Sequence, residues 1–459
     1  MNLNCKQKDF LWQDSNWIEY RRTQVQNLRE MPLNIYEIDL ASWRTRYGKS
    51  NREESAFLSY KEMAGDIVPY AKEMGYTHIA ILPPNCMFDT SCEPDTRFGS
   101  INDFKYFVDA LHRNGIGIIL DRITTRKQKG DFYNLSSKSV CTKLILNILF
   151  LLEEYHIDGL RGEVNCPPDR IRETYDFFKR LNTTISESFP DVFTIAVKTW
   201  SENEAYVNEC GFTFSQNFEM ADELFQYSAC DPYFRKYHHE KVLFSAADIS
   251  TNYIIPISYA HSKEDSLSIL DTMFGCYENK FAGFRALISH VMAFPGKKML
   301  FMGSELGEFR KWDKTNQLEW FMLDYDMHRK LRCFISDINN LYLKTPELHG
   351  YGLYWINSND RNKNVISYLR KNKNKDMVCV FNFSGVDICN YYVYVEKPGT
   401  YYVILNSDEP HYGGSGTFRT YSVHTDTDTN GGHYLSLNLA KLSGMLLCRA
   451  DKSTKAVID

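Results

Sequence analysis

Short β-type runs alternate with longer stretches of helical period between Met31 and about Phe309. Eight such runs occur, at Asn34 to Leu40, His78 to Leu82, Gly117 to Asp121, Gly159 to Val164, Phe193 to Val197, Gly211 to Phe214, Tyr253 to Ser258 and Met299 to Gly303. Strands that alternate with helices are typical of βα units around a parallel sheet, and eight units close a barrel. The pattern therefore predicts an α/β fold of the (β/α)8 TIM-barrel class.

The helical stretches carry their own start and stop signals. Apolar residues recur at helical spacing from Tyr60 to Met74, and Gly75 follows as a C-terminal stop. The stretch from Ile101 to Asn114 repeats this arrangement, with Ser100 before it and Gly115 after it. Further helices are predicted at Lys143 to Tyr155, Asp169 to Phe189 and Tyr277 to Phe294.

The period of the apolar residues changes from helical to two beyond Tyr342, in the runs GLYWI, NVISYLR, MVCVFNF, YYVYV, YYVIL and GMLLCR. Alternation of this kind predicts a C-terminal antiparallel β-sandwich. We therefore predict an N-terminal extension over residues 1–30, the barrel over 31–345 and the sandwich domain over 346–459. The low-complexity stretch TDTDTNGG, from Thr425 to Gly432, is predicted to be a surface loop.

The charge balance favours a neutral ligand. The 459 residues include 53 Lys and Arg against 58 Asp and Glu, which gives a formal net charge of −5, and no long basic run is present. These features argue against a nucleic-acid partner and against an anionic membrane surface. A neutral polyhydroxy compound is the expected class of ligand.

The cysteines and the amino-terminal segment indicate the cellular compartment. The 12 Cys are scattered without a repeated C-x-x-C, which favours reduced, buried thiols over disulfides or a zinc site. Charged residues interrupt the segment from Met1 to Gln13, so no signal peptide is expected. The longest apolar stretch, Leu144 to Leu152, is well short of the roughly 18 residues of a membrane span. We expect a cytoplasmic protein with neither a metal nor a cofactor.

Seven segments occur in an order that is characteristic of one family. They are PLNIYEIDLASWR (Pro32 to Arg44), FLSYKEMAGDIVPYAKEMGYTHIAILP (Phe57 to Pro83), TRFGSINDFKYFVDALHRNGIGIILD (Thr96 to Asp121), LLEEYHIDGLR (Leu151 to Arg161), DPYFRKYHHEKVLFS (Asp231 to Ser245), PGKKMLFMGSELGE (Pro295 to Glu308) and LNSDEPHYGGSG (Leu405 to Gly416). The chain thereby resembles the 1,4-α-glucan branching enzymes of the α-amylase superfamily from about residue 32 to 450. The resemblance implies a barrel followed by a β-sandwich, and an α-glucan such as glycogen as partner.

The resemblance also implies a pair of carboxyl groups. Retaining exchange of a glycosidic bond needs a nucleophile and a general acid about 5 to 5.5 Å apart on opposite sides of the anomeric carbon. The segment DGLRGEVN keeps Arg161 and has Glu163 at the nucleophile position, where the family has Asp. The segment FTIAVKTW resembles the general-acid motif, but the acid position is Val197. Loss of such an acid typically costs ~100- to 10,000-fold in rate.

The third carboxylate of the family falls at Ala260, within IPISYAHSKED, so this group is also lost. Asp121 is kept at the end of the third strand, whereas Arg126 replaces a family His. The loops after the second, third and fourth strands are short, and in such barrels these loops build the substrate face. Scaffold segments are therefore retained while much of the catalytic machinery is missing.

Five residues are predicted to contact substrate, namely Asp121, Arg161, Trp200, Tyr259 and Trp312. Trp and Tyr combine an apolar ring face, against which a sugar can stack, with a polar edge. The alternative for these rings is packing within the loop layer. For Arg161 and Glu163 the alternative is a structural ion pair near the barrel mouth.

The sequence predicts a branching-enzyme-like pseudoenzyme of α-glucan metabolism. It would bind a glycogen-like polymer, or pair with an active glucan-metabolising enzyme, without catalysis. The alternative is a weakly active 1,4-α-glucan branching enzyme or α-glucan hydrolase, with Glu163 as nucleophile and a migrated acid such as Glu202 or Asp265. A third hypothesis is an interaction protein without affinity for sugar.

Overall fold

The computed structural model describes residues 10–46, 56–82, 92–125, 132–164, 168–197, 209–243, 252–258, 268–350, 352–372 and 375–450. The chain forms two compact units, one of Met1–Gln216 with Asp313–Gln317, the other of Asn217–Trp312 with Leu318–Asp459. The domain boundaries at residues 30 and 345 stay a prediction. Within the described ranges, each helix is too short or too polar to cross a membrane.

Eight strands close a barrel in chain order with parallel pairing, which confirms the predicted fold class. They are β1 (Asn34–Ile38), β2 (His78–Ile81), β3 (Gly117–Ile123), β4 (Gly159–Glu163), β5 (Phe193–Val197), β6 (Phe214–Gln216), β7 (Tyr253–Ile257) and β8 (Lys297–Phe301). The sixth strand begins later than the predicted Gly211. That glycine has a φ of 79°, a left-handed turn conformation that a strand cannot contain.

The described residues contain nine α-helices. They are α1 (Ser15–Thr23), α2 (Leu40–Trp43), α3 (Tyr60–Glu73), α4 (Ile101–Arg113), α5 (Lys138–Tyr155), α6 (Ile171–Ser188), α7 (Phe218–Ala229), α8 (Tyr277–Ala293) and α9 (Asp326–Lys344). Ser59 and Ser100 each form a capping box with the acidic residue three positions later, so α3 and α4 begin where the sequence predicts.

The segment before the first strand is held by the buried carboxylate of Asp158, which directly precedes β4. Asp158 Oδ1 accepts hydrogen bonds from Trp17 Nε1 at 2.7 Å and from Arg21 Nη1 at 2.8 Å, both in α1. Its other oxygen accepts from the backbone N–H of Ile118 in β3 at 2.6 Å and contacts His112 at 2.9 Å. The predicted N-terminal extension therefore contains a helix that docks beside the starts of β3 and β4.

The imidazole of His112 balances two buried carboxylates. Its ring nitrogens lie 2.9 Å from Asp158 and 2.9 Å from Asp14. Burial alone would lower the pKa of His112, but the two carboxylates outweigh it and raise this pKa above 6.5. Burial would likewise raise the pKa of Asp158, but His112 and Arg21 hold it well below its usual range. Both shifts therefore favour the ionised forms of His112 and Asp158.

The C-terminal strands form two antiparallel sheets, and these confirm the predicted β-sandwich. The strands are β9 (Leu353–Asp360), β10 (Val365–Asn372), β11 (Lys375–Asn382), β12 (Ile388–Val395), β13 (Thr400–Asn406), β14 (Ser422–His424), β15 (Asp426–Thr427), β16 (His433–Leu439) and β17 (Ser443–Arg449). One sheet has six strands in the order β14-β13-β17-β11-β10-β9, and the other has three in the order β12-β16-β15. Side chains from both sheets form one apolar core, among them Val378 and Val380 from β11 and Leu435 and Leu437 from β16.

Asp158→Asn should strongly destabilise the protein, because Arg21 and His112 lose the carboxylate that they share. Removing one partner of a buried ion pair costs about 3 to 5 kcal/mol. We expect a loss of that size in the free energy of unfolding, measured by urea denaturation at pH 7. The control is Asp326→Asn, since Asp326 is 59% exposed and exposed pairs contribute little. Equal losses for the two variants would contradict the role of Asp158.

Candidate active site

Three neighbouring strands bring four of the predicted site residues together. Asp121 lies in β3, Arg161 and Glu163 lie in β4, and Val197 ends β5. The register pairs Asp121 with Arg161 and Glu163 with Val197. Arg161 and Glu163 are two positions apart and therefore share one face of β4. These residues form one wall at the carboxyl ends of the three strands.

Arg161 is buried, with 3% of the residue exposed, and its guanidinium is held by carboxylates from two other strands. Nη2 donates to Asp121 Oδ2 at 2.8 Å, and Nη1 donates to Glu37 of β1. Burial alone would lower the pKa of Arg161, but both carboxylates raise it above its usual range. Arg161 is therefore a permanently charged member of a structural ion-pair network.

Asp121 serves that network, although it is also close to Glu163. Burial raises the pKa of Asp121, the Arg161 charge opposes this shift, and the charges of Glu163 and Glu37 add to it. The net pKa lies above the usual value of 3.8. Asp121 and Glu163 stand on adjacent strands, which are about 4.7 to 4.9 Å apart in a sheet. They therefore belong to the same wall.

A bulge in β3 accompanies a glycine in β4, and the sequence reading missed this feature. The register of the two strands shifts between Asp121 and Ile123. A Cβ placed on Gly162 would lie 2.6 Å from the Cβ of Ile123, so the position requires glycine. Gly162, the second glycine of DGLRGEVN, is the sequence signal of this irregularity. Bulges are common beside active sites.

The remaining predicted positions lie outside the described residues. They are Trp200, Tyr259 and Ala260, together with Arg126 and the two acids considered as migrated, Glu202 and Asp265.

Trp312 lines a cavity at the carboxyl end of β8. The cavity has a volume of about 330 Å³, including the part open to solvent, and its walls include Ser268, Leu270 and Gly303. The Trp312 ring packs edge-on against Phe301, with centroids 5.1 Å apart. Glu308 and Arg310 are the charged residues of the wall.

Glu308 is a functional candidate that the sequence reading missed. It is 6% exposed, and burial raises its pKa to about 8. The backbone N–H of Glu319 donates to one of its oxygens. A carboxyl group that is protonated at neutral pH can donate a hydrogen bond as well as accept one. The sequence signal for Glu308 is its place in GSELGE, directly after a barrel strand. Active sites of such barrels lie at the carboxyl ends of the strands.

Comparison with known proteins agrees with this architecture. The family model of the C-terminal all-beta domain of alpha amylase matches residues 355–450. The alpha-amylase of Geobacillus thermoleovorans in complex with acarbose superposes with a TM-score of 0.67 at 16% identity, over 92% of this chain and 99% of that one. The alpha-amylase of H. orenii gives a TM-score of 0.64 at 15% identity, over 91% of this chain and 99% of that one. These structures are similar in fold.

Curated relatives are similar at the level of sequence. The 1,4-alpha-glucan branching enzyme of Nitrosococcus oceani is 31% identical over 507 residues, which cover 96% of this chain and 67% of that relative. The 1,4-alpha-glucan branching enzyme of Aquifex aeolicus is 32% identical over 497 residues, which cover 94% of this chain and 78% of that relative. The chain therefore belongs to the 1,4-α-glucan branching enzyme family of the α-amylase superfamily.

Proposed function

We propose that this protein binds α-glucan chains without exchanging their glycosidic bonds, as a pseudoenzyme of the branching-enzyme family. The observation that carries the proposal is the register of β4 and β5, which pairs Glu163 with Val197. Glu163 is the only carboxylate of that pair, and its neighbour Val197 is aliphatic. A leaving sugar oxygen at this wall would receive no proton from the residue at the family's acid position.

Two further features support the loss of chemistry. Ala260 has no carboxyl group, so this residue cannot act as the third acid of the family. Glu163 is longer by one methylene than the Asp that the family uses, and a misplacement of about an ångström can cost ~100-fold in rate. These losses act on the same reaction, so we expect turnover to be negligible.

Weak catalysis by Glu163 is the second candidate function, in a branching enzyme or an α-glucan hydrolase. Its support is the pKa of Asp121, which burial and the charge of Glu163 raise. Two carboxyl groups with different pKa values often divide the acid and base roles between them. Against it, the carboxylate of Asp121 is bound to the buried guanidinium of Arg161, whose charge favours the ionised form of Asp121 and so makes it a poor proton donor.

The cavity at Trp312 is the proposed binding place for a glucosyl unit. Trp312 provides a ring face, and a protonated Glu308 provides a neutral donor and acceptor. These groups suit a neutral polyol. A cytoplasmic location and an active glucan-metabolising enzyme as a second partner are also proposed, and both rest on the sequence reading and the family.

Purified protein should form no new α-1,6 linkages on amylose, even at high protein concentration, because Val197 and Ala260 cannot act as acids. Branch points can be counted by proton NMR before and after debranching, with heat-treated protein as the blank. Linkages that appear with the wild type and with Asp326→Asn, but not with Glu163→Gln, would support weak catalysis and overturn the proposal.

Trp312→Ala should weaken binding of maltotriose by about 2- to 10-fold, because aromatic contacts contribute about 0.5 to 1.5 kcal/mol beyond their buried area. Isothermal titration calorimetry measures this change. Trp320→Ala is the matched control, since Trp320 is also partly buried but does not line the cavity. Unchanged affinity in a folded Trp312→Ala variant would rule out the cavity as the binding place.

The stability of the wild type should fall between pH 5 and pH 8 through Glu308. The folded state keeps a proton on this group up to about pH 8, whereas the unfolded chain releases it near pH 4.5. Stability is therefore lost as pH rises through this window, by at most about 1.4 kcal/mol per pH unit. Glu308→Gln should show a flatter profile of thermal midpoint against pH. Identical profiles would mean that Glu308 is ionised in the folded protein.

A further inference from the structure

Three tyrosines form a cluster on the outer face of the three-stranded sheet. Along β12 the side chain of Val393 is fully buried in the sandwich core, whereas its neighbours Tyr392 and Tyr394 are 55% and 49% exposed. Tyr434 of β16 stands opposite Tyr394 in the register. The ring centroids of Tyr392 and Tyr434 are 4.8 Å apart, and those of Tyr394 and Tyr434 are 5.9 Å apart. We refer to these three residues as the tyrosine cluster.

Cross-strand packing explains only part of this arrangement. Facing aromatic residues on neighbouring strands stabilise a sheet, which accounts for the contact between Tyr394 and Tyr434. The apolar core of the sandwich, however, is filled by the opposite face of β12. Several adjacent aromatic rings that remain exposed are typical of a binding surface.

The segment from Thr425 to Gly432 supplies a polar rim to the tyrosine cluster, and it is not entirely the loop that the sequence predicts, because Asp426 and Thr427 form β15 and pair with β16. Asp428 accepts backbone hydrogen bonds from Asn430 at 2.9 Å and from Gly432 at 2.8 Å, which fix the turn. The carboxylate of Asp428 also lies near enough to Tyr394 to raise the pKa of that phenol, together with burial, which is the larger cause. The hydrogen bonds from Gly432 and Asn430 hold the pKa of Asp428 below its usual range, although burial opposes them. The low-complexity stretch thus places an ionised acceptor beside the rings.

We propose that the tyrosine cluster is a non-catalytic binding surface for an α-1,4-linked glucan chain. The rings offer apolar faces on which pyranose rings stack, and the phenol groups and Asp428 accept hydrogen bonds from sugar hydroxyls. This inference rests on the glucan binding proposed above, and it names a surface for that binding on the C-terminal sheet.

The orientation of the rings selects the type of chain. The planes of Tyr392 and Tyr394 are inclined to that of Tyr434 by 55° and 53°. A chain of α-1,4-linked glucose is curved and presents successive rings at an angle, whereas a β-1,4-linked chain is a flat ribbon that needs coplanar rings. The angled cluster therefore fits the curved chain better.

The negative charge of this edge disfavours polyanionic polymers. Asp426 stands opposite Tyr434 in the register, and Asp428 adds a second carboxylate to the same edge. Phosphate groups of a nucleic acid or of a phosphorylated polymer would be repelled by this rim. A neutral chain with hydroxyl groups meets no such repulsion.

The test is affinity electrophoresis of the full chain in native gels that contain glycogen. We expect glycogen to retard the wild type, and we expect the double variant Tyr392→Ala, Tyr394→Ala to lose most of that retardation. Tyr421→Ala is the matched control, because Tyr421 is 73% exposed and lies outside the tyrosine cluster. It should be retarded like the wild type. Thermal midpoints close to the wild-type value would show that the variants are folded.

The outcomes separate this inference from the proposed function. A wild type and a double variant that are retarded equally would overturn the inference and leave glucan binding intact. A wild type that is not retarded would overturn both. Tyr434→Phe keeps the third ring and should retain most of the retardation, so a complete loss would contradict stacking. Equal retardation in gels with hydroxyethyl cellulose would contradict the preference for an α-1,4-linked chain.

Discussion

The buried charge of Arg161 determines which carboxyl groups of β1, β3 and β4 are held in ion pairs. Arg161 is a residue that is only 3% exposed, so its guanidinium must be paired, because an isolated charge at that depth is strongly unfavourable. Its partners, Glu37 and Asp121, come from β1 and β3, so one charge joins three strands of the barrel. Asp121 is thereby committed to an ion pair. The chemistry of the wall then depends on Glu163 and on its aliphatic neighbour Val197.

Both proposed glucan contacts combine an aromatic ring with a carboxyl group, yet the two carboxyl groups are in opposite states. Burial in the wall of a cavity raises the pKa of Glu308 to about 8, so this group holds a proton at neutral pH. Backbone N–H groups of a tight turn lower the pKa of Asp428, so that group is ionised. One can donate to a sugar hydroxyl and the other accepts from it. A neutral polyol, which both donates and accepts, suits either arrangement.

Local patterns predicted much of the fold and part of the site. The capping boxes at Ser59 and Ser100 mark the starts of α3 and α4, because both members of each box are close in sequence. Helix α1 was not predicted, since it is short and depends on Asp158, which lies far away in the chain. The burial of Glu308, which makes it a candidate donor, likewise depends on the packing of the segment around Glu319.

The sequence by itself determined the eight-stranded barrel, the C-terminal sandwich and the residue types at the positions where the family has its acids. Periodicity and motif order are sufficient for these, because each is carried by residues within one element. Only the tertiary structure decided that Arg161 binds Glu37 and Asp121, and that three tyrosines from β12 and β16 meet on one outer face. Such pairings depend on strand register and burial. Both are set by contacts between residues that are remote in the chain, so no local pattern encodes them.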